Sequence, residues 1–339
     1  MTRPSVLAVR LPNPVGDVVA ATPLLRALRQ AQAAEAIILA GSSGAAELLA
    51  GLDSYDRFEV LPAGRGVAAE ARLLRRSRAE AVLLLPNSWS SALAARLAGI
   101  GRRIGRRAAG RGPLLSETLP PVGAPRAMSA LYFELGAPLG VSGAVPGPEL
   151  AITPGEEALA ANRLAGSPTS APLLAVAPGA TFGASKIYPV PLLAEVLHAL
   201  HARLGLRPLL LGSPAEAPLL RDLAQRLGAA AISTHAAPAG LGEMKALLRR
   251  CTALLCMDNG ARAMAAALRV PAAVLYGPTD PRWSGPGSGG AVHLRRADLP
   301  CSPCHLKHCP IGHACLRGVP PARVVEALQG LLGAAGAPA

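Results

Sequence analysis

Short apolar runs recur along the chain, each closed by a polar or glycine-bearing turn and followed by a stretch whose apolar positions fall three or four apart. In the first half the runs are residues 5–11 (SVLAVRL), 36–40, 58–61 and 81–85. A strand covered by helices on both faces of its sheet needs continuous rather than alternating apolarity, so these runs are predicted to be parallel strands. Residues 18–30, 67–78 and 90–98 carry helical spacing between them, and Val18, Ala21, Leu25 and Leu28 share the face that would pack on a sheet. The second half restarts the alternation, with runs at 173–177, 208–211, 254–257 and 272–276. Helical stretches separate them at 190–204, after Gly212-Ser213-Pro214, at 241–250 and at 261–268. A last helix is predicted at 320–332, with Val324, Val325, Leu328 and Leu331 on one face.

Two blocks of alternating strands and helices predict an α/β fold. Residues 139–172 shift to Pro, Gly, Ser and Ala around one short helical stretch at 156–164, and the interdomain connection is placed there, with domains at 1–165 and 166–339. With 339 residues, 51% of them hydrophobic, each domain can bury its own core and the two can share a cleft. The net charge of +13 rests on 34 Lys and Arg, of which only Lys186, Lys245 and Lys307 are lysines. Such an excess suits phosphates, nucleic acid or an acidic membrane face, or else it is an arginine-rich composition spread over a solvated surface. No apolar run approaches the roughly 20 residues of a membrane span. The run at 6–11 is too short, and broken by Arg10, to be a signal peptide. A cytoplasmic protein is expected, with at most peripheral membrane contact, and in that compartment its six cysteines are not expected to form structural disulfides.

Candidate chemistry gathers at the carboxyl ends of the predicted strands, where open α/β sheets hold their ligands. Asp258-Asn259-Gly260 follows the run at 254–257 and leads into a helix whose first amides have no partner within it; this turn either holds a phosphate or sugar hydroxyl or is a tight turn with a cap. The loop at 178–189 (PGATFGASKIYP) has two glycines that permit close backbone approach, and Lys186 in it is either a phosphate clamp or a solvated lysine. Glu216 either answers a helix dipole or accepts hydrogen bonds from ribose hydroxyls. Asp17, just after Gly16, is either a helix N-cap or a carboxylate presented to a ligand. Between residues 81 and 116 there is no acidic side chain but six arginines, Arg96, Arg102, Arg103, Arg106, Arg107 and Arg111, with Trp89 the lone aromatic. A grip on the phosphates or carboxylates of an acceptor fits this better than single-stranded nucleic acid, which needs stacking platforms. Cys301, Cys304, Cys309 and Cys315, interleaved with His305, His308 and His313, have the density of a zinc site, yet C-x2-C-x4-C-x5-C is not a common finger spacing. A reduced or reversibly oxidised loop is the alternative.

Five segments, in order, resemble one known family: VLAVRLPNPVGDVVAATPLLRALR, LLLPNSWSSALAARLAGIGRRIGRRAAGRGPLL, PGATFGASKIYP, DNGARAMAAALRVPAAVLYGPTDP and CSPCHLKHCPIGHAC. The chain is similar to the lipopolysaccharide heptosyltransferases of glycosyltransferase family nine, and within it to the heptosyltransferase II type. The resemblance implies a GT-B fold, two Rossmann-like domains facing a cleft, with acceptor bound by the N-terminal domain, nucleotide sugar by the C-terminal one and the last helix returning toward the first domain. It implies that Asp17 is the general base, that Lys186 contacts the donor diphosphate with Thr181 nearby, and that Glu216 binds the ribose. Asp258, Asn259 and Gly260 match the D-[ST]-G turn that holds sugar and diphosphate, and the arginines at 102, 103, 106, 107 and 111 are the acceptor-side candidates. The implied reaction is inverting transfer of heptose from ADP-heptose to the inner core of lipopolysaccharide, without a metal, by an enzyme touching the inner face of the inner membrane and not nucleic acid.

Elementary chemistry agrees with these roles. An alcohol attacks only as a base removes its proton, and a departing diphosphate needs its charge absorbed. The chain departs from the family pattern at Asn259, where Ser or Thr is usual, and at Ala263, where His is usual. Two other classes follow from those departures and from the charge: a non-catalytic or diverged nucleotide-sugar binder, including a transferase with another donor, and a basic nucleic-acid-binding module.

Overall fold

The computed structural model describes residues 3–62, 64, 66–166, 171–284 and 290–335. The chain divides into two α/β units, Met1–Ala151 and Ile152–Ala339. The first contains β1 (Val6–Arg10), α1 (Val15–Gln30), β2 (Ala36–Gly41), α2 (Ser43–Leu49), β3 (Arg57–Val60), α3 (Gly66–Arg76), β4 (Ala81–Leu84), α4 (Trp89–Leu97), β5 (Arg102–Arg106), β6 (Glu117–Leu119) and α5 (Met128–Glu134). Its strands form one parallel sheet in the order β3-β2-β1-β4-β5-β6. Leu7, Val9, Leu39 and Leu83 are fully buried in it, as strands covered on both faces require.

The second unit contains α6 (Pro154–Leu164), β7 (Leu173–Ala177), α7 (Val190–Leu204), β8 (Arg207–Leu210), α8 (Ala217–Leu227), β9 (Ile232–Ser233), α9 (Leu241–Arg249), β10 (Ala253–Met257), α10 (Gly260–Leu268), β11 (Ala272–Leu275), β12 (Ala291–Leu294), α11 (Ala314–Arg317) and α12 (Pro321–Ala335). Its parallel sheet runs β9-β8-β7-β10-β11-β12, the order of the first sheet repeated in its own numbering. Each sheet therefore has a topological switch point, between β1 and β4 in one and between β7 and β10 in the other, where connections leave in opposite directions and open a crevice at the strands' carboxyl ends.

Several elements differ from expectation. The unit boundary falls at 151/152 rather than 165/166, because α6 docks on α9: buried Lys245 of α9 pairs at 3.0 Å with Glu156 of α6, and Arg163 of α6 pairs with Glu243. Directly after β2, Ser42 starts α2 as its N-cap, its hydroxyl accepting from the Ala45 amide at 3.2 Å. The last helix does present its expected apolar face, and α12 sinks Val324, Val325 and Leu328 into the core of the second sheet, whose residues include Val176, Leu255 and Ala273. No helix among the described residues is long and apolar enough to cross a membrane.

Candidate functional site

The switch point of the second sheet brings two loops together. The first follows β7 and ends in a short 3-10 turn, Ala184–Lys186; the second follows β10 and is Asp258-Asn259 at the start of α10. Gly183, with φ at +153°, makes the bend before Lys186 that a side chain would resist. The Lys186 ammonium then meets Asp258 twice, at 2.7 Å from its Oδ2 and 2.9 Å from its backbone oxygen, and lies 4.9 Å from the centroid of the Phe182 ring. Both side chains are nearly buried, 11% and 14% exposed, so the pair works in a medium where charge interactions are far stronger than in bulk water.

Asp258 is the hub. The Thr279 hydroxyl donates to its Oδ2 at 2.7 Å, the Ser284 hydroxyl to its Oδ1 at 3.2 Å, and the Arg262 guanidinium stands 3.8 Å from Oδ1. Burial by itself would push this carboxyl up; the Lys186 charge, the hydrogen bonds from Lys186 and Thr279, and the Arg262 charge outweigh it and hold the pKa below the ordinary carboxylate value. Two cations around one carboxylate leave a net positive site, suited to an anion.

Asn259 is the N-cap of α10: its Oδ1 accepts from the Ala261 amide at 3.1 Å, while its Nδ2 donates to the carbonyls of Ala177 at 3.0 Å and Gly179 at 2.8 Å. The side chain thus ties the start of α10 to the β7 loop. Gly260 begins the helix, whose N-terminal partial charge adds to the positive field. Glu216 closes a 3-10 turn after β8, its Oε2 accepting from the Ser213 amide at 2.7 Å and hydroxyl at 2.9 Å. Its carboxyl lies directly over Gly179, where a Cβ would fall 1.9 Å from Oε1, so the ribose-side candidate and the β7 loop are in contact. Thr181 is exposed on that loop. Ala263 is buried on α10.

Sequence reasoning missed Arg262, Thr279, Ser284 and His293. Burial, then the Arg262 charge, depresses the His293 pKa, with Asp258 opposing, and its ring lies 4.9 Å from that of buried Tyr276. These residues arrive from three separate segments and carry no spacing signal.

In the first unit Asp17 lies in the first turn of α1, half-buried at the carboxyl end of β1. It is not the cap: Pro14 occupies that place, and its carbonyl accepts from the Asp17 amide at 3.0 Å. Arg10, buried at the end of β1, pairs with Glu70 at 2.9 Å and reaches Asn13 at 3.4 Å, fixing the loop that leads to Asp17. Burial, and secondarily the Asp17 charge, push the Tyr132 phenol pKa far up.

Four of the five acceptor-side arginines have partners within the fold. Arg102 pairs with Glu117 at 2.6 Å; Arg103 donates to the carbonyl of Leu114 at 2.7 Å; Arg106, 4% exposed, pairs with Glu134 at 2.8 Å. Arg111 is fully buried, donates to the carbonyls of Arg106 and Pro86 and to Asn87, and is pushed down to about 10 by burial. Arg107 is the exposed one of the five.

The zinc candidates Cys301, Cys304, Cys309 and Cys315 are free thiols around one small apolar cavity, and among the described residues no three ligand-type side chains converge to hold a metal ion. The donor set therefore does not fit the zinc expectation.

Residues 67–315 match the sequence model of glycosyltransferase family 9 (heptosyltransferase). Lipopolysaccharide heptosyltransferase 2 of Escherichia coli strain K12 is 29% identical over 303 residues, covering 84% of this chain and 86% of the relative. Lipooligosaccharide heptosyltransferase 2 of Haemophilus ducreyi is 27% identical over 345 residues, covering 95% and 97%. The structure of the E. coli ADP-heptose lipopolysaccharide heptosyltransferase II superposes with a TM-score of 0.83 at 26% identity, covering 98% of this chain and 99% of that one. The family match includes both loops that meet at Asp258, and the chain belongs to glycosyltransferase family 9, the heptosyltransferases, with their GT-B fold.

Proposed function

We propose that the chain transfers a heptose from ADP-heptose to the inner core of lipopolysaccharide, with inversion at the anomeric carbon. The observation that carries this reading is the Lys186–Asp258–Asn259 constellation at the switch point of the second sheet. The related E. coli enzyme is an ADP-heptose lipopolysaccharide heptosyltransferase, which supplies the donor and acceptor class.

In this reading Lys186, with Arg262 behind Asp258 and the first amides of α10, absorbs the charge that develops on the departing diphosphate. The reading needs no metal ion, because those groups already supply the positive charge. Asp258 keeps Lys186 in place, and Asn259 holds the two loops at a fixed separation. Glu216 accepts from the ribose hydroxyls and Thr181 offers a hydroxyl to the diphosphate. Asp17 removes the proton from the acceptor hydroxyl as the new bond forms. Arg107 is assigned to the anionic acceptor, while Arg102, Arg103, Arg106 and Arg111 shape the strand and loop that present it. Peripheral contact with an anionic membrane face, from the cytoplasmic side, follows from the net charge of +13 and a lipid-borne acceptor, and no nucleic acid partner is assigned.

The test is transfer from ADP-heptose to a Kdo- and heptose-bearing lipid acceptor, read as ADP release and product mass, with wild type and Asp17→Asn. Wild type should turn over, and the variant should lose about 10²–10⁴-fold in kcat with its donor affinity retained. Equal activity of the two, or transfer from a different nucleotide sugar only, would refute the reading.

A further inference from the structure

The tract at 301–315 plays no part in the proposed transfer, yet it is bonded to both segments that hold Asp258. Ser185, next to Lys186, donates its amide to the Lys307 carbonyl at 3.1 Å and its hydroxyl to the Leu306 carbonyl at 2.5 Å. On the other side the His305 amide donates to the Pro278 carbonyl at 2.8 Å and the Ser302 hydroxyl to the Gly277 carbonyl at 3.0 Å, just before Thr279. The seat is tight: a Cβ at Gly183 would lie 2.5 Å from the Lys307 carbonyl oxygen. A shift of the tract therefore reaches Lys186 and Thr279, the two side chains that donate to Asp258 Oδ2.

The same tract concentrates four of the chain's six thiols. Cys301, Cys304, Cys309 and Cys315 line one apolar cavity of about 70 Å³, together with Ser185 and Gly277. Cys301 is exposed and the other three are half-buried, so reagents reach them. The remaining two are buried, Cys251 in the bend before β10 and Cys256 within that strand, and burial pushes the Cys251 thiol up to about 12 and raises that of Cys256 as well. Access therefore selects the tract, although burial pushes the Cys315 thiol up as well. Apolar walls and the lack of a converging ligand set favour sulfur–sulfur bond formation over a metal.

We infer that the tract is a thiol-oxidation site in which two of its cysteines form a disulfide by exchange with a low-molecular-weight disulfide, loosening the loops on both sides of Asp258. The exposed Cys301 thiolate attacks one sulfur of the reagent, forming a mixed disulfide and expelling one reagent thiolate. A second tract thiolate then attacks the Cys301 sulfur, closing the protein disulfide and releasing the second reagent thiol. Two protein thiols are oxidised and one reagent disulfide is reduced to two thiols. The consequence for the donor rests on the nucleotide-sugar reading above; the bond and the loosening do not.

The experiment treats the full chain with oxidised glutathione and reads three quantities: disulfide mapping by mass spectrometry, hydrogen exchange of the Ser185 and His305 amides, and ADP affinity. One disulfide within 301–315 is expected, with Cys251 and Cys256 alkylated only after unfolding. The two amides should exchange about tenfold faster, and ADP should bind about tenfold more weakly. Dithiothreitol should reverse all three, and Cys301→Ser should abolish the response. Tract thiols that stay alkylatable, a stoichiometric metal found by elemental analysis, or a disulfide that leaves the amides unchanged would each overturn the inference. Failure of ADP to bind the reduced protein would count against the donor reading alone, since mapping and exchange still decide the tract.

Discussion

At position 259 one side chain accepts a hydrogen bond and donates two, which the Ser or Thr usual in the family pattern does not do, having a single hydroxyl proton. Asn259→Thr should keep the cap but lose the tie to Ala177 and Gly179, at a cost of about 1 kcal/mol, and Asn259→Ala should lose both, at about 2 kcal/mol. Urea unfolding measures this, and a Thr variant as stable as wild type would show that the tie contributes nothing. Gly179→Ala places a methyl on the Glu216 carboxyl, where 1.9 Å separates built Cβ and Oε1. The flexible carboxyl must swing away, so nucleotide affinity should fall while far-UV circular dichroism is retained; unchanged affinity would remove Glu216 from the ribose. Lys186 and Asp258 were legible in the sequence because each interrupts a glycine-bearing loop after an apolar run. Thr279, Ser284 and Arg262 were not, since small hydroxyls in a Gly- and Pro-rich loop, and an arginine one helical turn past the cap, gain meaning only when the loops fold onto Asp258.

At the scale of the element, apolar runs located β1, β2, β4, β7, β10 and β11, whose burial is nearly complete. They could not locate β5, which reads Arg-Arg-Ile-Gly-Arg and owes its place to tertiary partners for its guanidinium groups: Glu117, Leu114 and Glu134. The basic cluster expected to face an acceptor is therefore largely a strand stapled to its own surroundings. Similarly, the two-residue β9 carries too little pattern to be seen. The α6–α9 contact rests on a buried ion pair, Lys245 with Glu156, and Glu156 also accepts from the Thr153 amide at 2.8 Å. Lys245→Met leaves that carboxylate without its cation and should destabilise by about 3–5 kcal/mol, of which adding Glu156→Gln should restore part. Thermal or urea unfolding of the single and double variants checks this; additive losses would show that the two groups do not act as a pair.

For the whole molecule, the repetition of one strand order in two sheets places both sets of candidate groups at switch points, Asp17 after β1 and the Asp258 hub between β7 and β10. Alternation along the chain predicted this layout; the boundary was misplaced only because α6, in a Pro- and Gly-rich stretch, takes its partners from the second unit. The pH dependence of stability also belongs here. The His293 pKa is held below its ordinary 6.5, so the folded state binds that proton less readily than the unfolded chain. Its effect is absent above about pH 6.5 and becomes a loss of stability as pH falls through 6.5 toward the folded value. Asp258, held below 3.8, contributes stability above that value and loses it only in stronger acid. Between pH 7 and 5, then, Tm should fall less in His293→Asn than in wild type, and parallel profiles by calorimetry would contradict the assignment. The central claim is that the second sheet's switch point holds a nucleoside diphosphate on Lys186. Isothermal titration of ADP into the reduced protein tests it most directly: wild type should bind, and Lys186→Ala should bind at least about tenfold more weakly. Equal affinity in the two proteins, or no binding to wild type, would contradict it.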